Sequence, residues 1–253
     1  MIRLVQAPLR RLRPTSGAAH FLHLALLLIL PVAVFLLVRL NFPQLALSIV
    51  VLSKWRMFAV KPRFWPANIR ANAVDLMVGL SLVLFTIHAG SLWLQLLWPV
   101  LYAVWLVAIK PGTDITTVTA QAFIAQFAAL SALYLVWSDG PVYGLTLLSG
   151  IFCYMAARHF LDAFDEPYAR MLAYVWGYFG AALTWLLSHW LLFYHGVAQP
   201  TLLMAALGYG LAVLYYLDHN ERLNSALKRQ FLFIMVAIVV VILAFSDWGN
   251  KVV

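Results

Sequence analysis

The chain is poor in charge, and poorest in negative charge. Only 10% of its 253 residues are charged, and nine are acidic. A soluble domain carries about a quarter, so a water-facing surface over most of the chain is excluded. There is one cysteine, Cys153, which excludes an internal disulfide framework and any multi-cysteine metal site. It reads as a small buried hydrophobe. No carboxylate falls in the middle of an apolar run: Asp75, Asp139, Asp218 and Asp247 each map near the end of one. Ionisable groups inside a membrane mark proton and ion relays. Their expected absence argues against a proton pump or a carboxylate-based antiporter.

What the chain has in quantity is apolar sequence. It is 64% hydrophobic, in runs of about twenty residues, the length that crosses roughly 30 Å of hydrocarbon. Nine runs can be counted, at 21–40, 43–57, 73–87, 92–109, 116–137, 142–160, 168–194, 201–217 and 231–245. The second and third look short, and Pro31 lies inside the first, where it would kink a helix. The expected fold is an all-α integral membrane protein, a bundle of about nine transmembrane helices. Residues 1–20 form a basic cytoplasmic N-terminal segment, 21–247 a single polytopic domain, and 248–253 a short external tail. A signal peptide is the rival reading of the first run. That run continues to Leu40 with no small-residue cleavage site after it, so it is read as a retained span.

The cations orient the bundle. With the N-terminus in the cytoplasm, 15 of the 17 Lys and Arg fall on the inner side. That bias is the positive-inside pattern. It places the N-terminus inside and the C-terminus outside, in the cytoplasmic (inner) membrane. The inner loop 54–72 mixes Trp55, Phe58, Phe64 and Trp65 with five cations. Aromatics at headgroup level with Lys and Arg beside them point to anionic lipid as the partner, not nucleic acid.

The densest chemistry is in 158–170, which holds Asp162, Asp165 and Glu166 beside Arg158, His159 and Arg170. A Mg²⁺ site needs one or two carboxylates plus substrate phosphates. Asp162, Asp165 and Glu166, with His159, are therefore the catalytic candidates for a cytoplasmic-face site. The structural reading is preferred. Asp165-Glu166-Pro167 would cap the seventh helix, and Arg158 would pair with Asp162 four residues on. Asp162-Ala163-Phe164-Asp165 resembles one of the two acidic inner-loop motifs of intramembrane prenyltransferases. That resemblance implies a prenyl substrate. The other loop departs from it, because Asn72-Ala73-Val74-Asp75 holds one acid where the family has several. The seven histidines divide between the two faces. Haem held by histidine pairs would need members at both levels, and no span carries such a ladder. No metal site or cofactor is assigned. Mg²⁺ and haem are the two the residues bring into question.

Two helix faces stand out. The fifth run is the most polar, and Thr117, Gln121 and Gln126 are its pathway-lining candidates, since glutamines inside hydrocarbon need partners. The seventh carries a small-residue stripe, Ala173, Gly177, Ala181, Thr184 and Ser188, which reads as a helix-packing seam. The function these features suit best is a transporter or permease-like protein for a small, weakly charged or amphiphilic solute. The alternatives are a non-catalytic membrane subunit packed in a homo-oligomer or larger assembly, and a lipid- or prenyl-modifying enzyme with an inner-face acidic site.

Overall fold

The computed structural model describes residues 18–189, 193–194 and 196–246. The chain is 83% helical, and the described residues form nine α-helices. These are α1 (Ala18–Arg39), α2 (Pro43–Leu52), α3 (Trp65–His88), α4 (Leu92–Val104), α5 (Ile115–Trp137), α6 (Val142–Asp162), α7 (Ala169–Ser188), α8 (Gln199–His219) and α9 (Ser225–Phe245). A two-residue antiparallel pair, β1 (Phe193–Tyr194) and β2 (Val197–Ala198), joins α7 to α8. Among the described residues seven helical segments are long and apolar enough to cross a membrane: α3, α4 together with the π-helical turn Trp105–Ile109 that follows it, and α5 to α9. This is an all-α chain built as a multi-pass membrane protein. Residues 1–17 of the basic N-terminal segment and the tail 248–253 lie outside the described residues.

The second and third runs differ most from expectation. The helix expected over 43–57 stops at Leu52. Ten residues rise about 15 Å, half the hydrocarbon thickness. The Ser53 hydroxyl donates to the Val50 carbonyl at 2.6 Å, and Lys54 turns inward. Two 3₁₀ turns, Trp55–Met57 and Pro62–Phe64, lead on to α3. That helix begins at Trp65, not Ala73, with Pro66 in its first turn. A proline is harmless there because its missing N–H has no intrahelical partner anyway. Asn68, Arg70 and Asn72 are too polar for a hydropathy reading, yet they are helical.

Three helices end by one device. Asn41, Asp165 and Glu221 have φ of 60°, 53° and 54°. Each follows a helix and is flanked by two closing bonds: Phe42 N–H to Leu37 O with Asn41 N–H to Val38 O, Glu166 to Leu161 with Asp165 to Asp162, and Arg222 to Leu217 with Glu221 to Asp218. This is the Schellman arrangement, which takes up the last free carbonyls with one left-handed residue.

The described residues form three buried apolar clusters, the smallest of them Leu161, Ala169 and Ala173 where α6 meets α7, and the two larger ones centre the core. One, around Val34, Val50, Val78, Tyr102 and Trp105, joins α1 to α4. The other, around Leu130, Tyr134, Leu145, Cys153 and Met204, joins α5, α6 and α8. Between α6 and α7 the backbones nearly touch: a Cβ at Gly177 would lie 2.9 Å from the Gly150 carbonyl oxygen. In contrast α9 buries only Met235 and Ile242.

Candidate functional site

Two groupings of polar side chains are candidates for a site, and the first is a layer across α3 to α6. Arg39 at the end of α1 donates to Gln95 in the first turns of α4 at 3.4 Å, which sets one level. The chain then descends through α2 to Lys54, and α4 descends to Lys110. Both lysines meet Asp75. Lys54 Nζ pairs with Asp75 Oδ2, Lys110 Nζ lies 2.6 Å from the same oxygen, and Trp105 Nε1–H donates to Oδ1 at 2.9 Å. Asp75 was expected at the start of a span, with charge absent from span interiors. It lies inside α3, roughly 20 Å from the His88 end at 1.5 Å per residue. Its side chain is 9% exposed and that of Lys54 12%. Burying a carboxylate is unfavourable unless donors replace its water, and three donors do so here.

Gln121 and His159 complete the layer. A π-helical turn, Trp105–Ile109, closes α4 and leaves carbonyls that the helix itself does not satisfy. Gln121 Nε2 serves three of them, Ile109 at 2.8 Å, Gly112 at 3.0 Å and Lys110 at 3.3 Å. Its amide nitrogen can only donate, so its Oε1 must accept. His159 Nε2, at 2.9 Å from that oxygen, therefore carries the proton. Thr117 has a similar task at the start of α5, where its N–H and hydroxyl bond Asp114 at 2.9 and 2.6 Å. Hydrogen bonds from Thr116 and Thr117 hold the Asp114 carboxyl far below the usual carboxylate range. Thr117 and Gln121 thus tie down helix ends.

The acidic stretch disperses. Asp162 Oδ1 pairs with Arg158 Nη2 at 2.7 Å. Glu166 accepts from the Tyr168 N–H at 3.2 Å and from the Tyr215 hydroxyl, and those bonds hold its carboxyl below the usual range. Asp165 was expected to cap α7. That helix starts after Tyr168 with no side-chain cap, and Asp165 instead supplies the left-handed residue that ends α6. The reason is that the α6 carbonyls need closing before a proline-bearing loop can start. His159 faces Gln121, so the four catalytic candidates do not converge. Among the described residues no three His, Cys, Asp or Glu side chains gather. His88 bonds the Leu84 carbonyl, and His219 packs on Phe164 and Tyr215.

On α7, Ala173, Gly177 and Thr184 are buried. Ala181 sits against Gly150, Thr184 bonds Tyr134 at 2.9 Å, and Ser188 turns back to the Trp185 carbonyl.

The second place is a cleft of about 500 Å³ between α5, α6, α7 and α8. Its walls are apolar and aromatic, with Phe123, Ala156, Phe160, Trp176 and Leu214 among them. It runs along α8 from Gly208, beside Gln126, to Asp218, and that end, with Leu223 and Lys228, is its mouth. Ten residues of α8 separate Gly208 from Asp218, about 15 Å of helix. Almost every polar group in the wall is already committed. Gln126 Nε2 donates to the Met204 carbonyl at 3.2 Å, and Trp176 Nε1–H donates to Gln126 Oε1 at 2.8 Å. The Thr119 hydroxyl donates to Ile115 O and Tyr215 to Glu166. Asp218, Lys228 and the exposed Tyr209 are left. Sequence reasoning named Gln126 but missed Trp176, Gly208, Asp218 and Lys228. A gap between helices has no local signature; the only trace was a glutamine in an apolar run. Comparison with protein-family models, curated proteins and solved structures returns no match.

Proposed function

We propose that this multi-pass membrane protein binds an amphiphilic solute in the α5–α8 cleft and carries it across the bilayer. The carrying observation is the cleft itself. It has the size of a small-molecule site, about 300–1,000 Å³, with apolar walls and its uncommitted charges at one end. An apolar body fits the walls and a polar head fits the mouth. The end bearing the mouth also bears Lys54, Lys110 and the basic loop, so it is assigned to the cytoplasmic face of an inner membrane, against anionic headgroups. The N-terminus is then cytoplasmic and the C-terminus outside. Cysteines placed at Asn41 and Ser138 will react with an impermeant thiol reagent from outside. Those at Pro62, Asp165 and Asn224 will not, and equal labelling of the two sets would end this orientation.

The transport experiment uses the full chain in liposomes with a fluorescent single-chain lipid and an external quencher. Protein should speed the loss of inner-leaflet signal. Gly208→Leu should slow it, because a Cβ there already lies 3.2 Å from Trp176 Cζ2 and a longer side chain fills the cleft. Rates equal to protein-free liposomes would defeat the reading. A subunit role is the second reading, favoured by α9. That helix exposes Phe233, Val236, Val240 and Phe245, a face for lipid or for another protein. Native mass spectrometry showing a defined oligomer would support it.

A further inference from the structure

The amphiphile reading leaves open which head group the cleft takes, and the mouth carries a second observation that bears on it. Asp218 stands at the end of α8 and Lys228 in the first turn of α9. Both line the same cleft, both are exposed, and they form no ion pair with each other or with any other described residue. The ion pairs found among the described residues lie elsewhere: Arg158 with Asp162, and Asp75 with both lysines. Glu166, the nearest other carboxylate tied to the wall, is bound by the Tyr215 hydroxyl. The mouth therefore presents one carboxylate and one ammonium that no described residue pairs with.

Below the mouth the walls offer mostly apolar surface, with the Tyr209 hydroxyl the exception. Trp176 donates to Gln126, Gln126 and Thr119 donate to backbone carbonyls, and Tyr215 donates to Glu166. A ligand with polar groups along its body would lose its water and find no partner, which is unfavourable. Polarity in the ligand must sit at one end. An anionic head alone meets repulsion from Asp218, and a cationic head alone meets it from Lys228. Discrimination of this kind rests on the repulsive element as much as on the attractive one.

We propose that the cleft selects a zwitterionic amphiphile, with one apolar chain in the α5–α8 walls, its ammonium at Asp218 and its phosphate or carboxylate at Lys228. This rests on the amphiphile reading above and narrows it.

The test titrates the full chain, in a neutral maltoside detergent, with four single-chain compounds of equal length. These are dodecylphosphocholine, dodecyl phosphate, dodecyltrimethylammonium and the uncharged monododecanoylglycerol. Affinity is read by tryptophan quenching and by the shift in melting temperature. The phosphocholine should bind about fivefold tighter than either compound with charge of one sign, the scale of one partly exposed charge contact. Asp218→Asn should erase its advantage over the phosphate, and Lys228→Gln its advantage over the ammonium. Equal affinity for all four would overturn the zwitterion proposal and leave the amphiphile reading standing. No binding of any would remove both. The ranking in the parent decides by itself, so a variant that folds poorly does not spoil the test.

Discussion

The α3–α6 polar layer and the α5–α8 cleft each bring polar side chains into an apolar bundle, and they treat them oppositely. In the layer, Asp75 has three donors and Gln121 engages three carbonyls and a histidine. In the cleft, Gln126 and Trp176 bond each other while the charges at the mouth have no ion-pair partner among the described residues. A polar group in the interior that is fully bonded holds the fold. A charge beside a cavity that no protein group answers is available to a ligand. By that criterion the more heavily charged region is the structural one, and the greasier region is the functional candidate.

The sharpest way to break this contrast is at Asp75. Asp75→Leu strands two ammonium groups and the Trp105 N–H, and breaking a buried pair in this way costs about 3–5 kcal/mol. Thermal unfolding in detergent should show it as the largest loss of any single change here. The triple change Lys54→Met, Asp75→Leu, Lys110→Met should recover most of it. A neutral single variant would mean that the layer is not holding the fold.

The two glutamines and two glycines sharpen the contrast at the next scale. Gln121→Leu should destabilise by about 1–3 kcal/mol, since it leaves buried carbonyls unanswered, and Gln126→Leu by only about 1 kcal/mol. The Gln126 change should also alter amphiphile affinity, whereas the Gln121 change should act on stability alone. At Gly79 a Cβ would meet Val50 Cγ1 at 2.8 Å and Tyr102 Oη at 2.9 Å, so Gly79→Ala should cost about 1–3 kcal/mol of overpacking. Gly208→Ala meets only the cleft wall and should cost less. Equal costs at the two glycines would show that the cleft is as closely packed as the layer.

Acid should separate capping from coupling. The Asp114 carboxyl is held below its ordinary value by Thr116 and Thr117. A depressed folded value means that its contribution is complete above the unfolded value and is lost as pH falls toward the folded one. Melting temperature should therefore drop between about pH 5 and about pH 2 in the parent, and drop less in Asp114→Asn, which still accepts the capping bonds. An identical acid profile for the two would remove Asp114 from the account.

The smallest expected effect is at Asp165. Glycine enters the left-handed region without strain, so Asp165→Gly should leave stability within about 1 kcal/mol of the parent. A metal ligand at that position would behave differently. The parent would then gain melting temperature with Mg²⁺, and the glycine variant would not.

Much of the fold was legible along the chain. The nine runs overlap nine helices because hydropathy summed over about twenty residues is a local quantity. It failed where local composition and helix disagree. The polar first turns of α3 contain Asn68, Arg70 and Asn72, so a hydropathy window starts that helix late. The second run reads through Ser53 and Lys54, although Lys54 leaves the helix for a carboxylate 21 residues on. The site was less legible. Gln121 and Gln126 look alike in sequence, five residues apart on one helix, yet one clamps the end of α4 and the other lines the cleft. Asp162 and Asp165 look like a motif, but each has its own task at the end of α6.

By itself the sequence determined that the chain is a helical membrane protein and which stretches are helical, because apolar length and turn residues act over a few residues. Only the tertiary structure decided that Asp75 is an interior group held between Lys54 and Lys110. It also decided that Asp162, Asp165, Glu166 and His159 disperse, and that Asp218 and Lys228 share one mouth. Apart from the local pair Arg158–Asp162 and the turn at Asp165, each of those facts depends on which helices lie side by side. That choice is made by side chains far apart in the chain, where no local pattern records it.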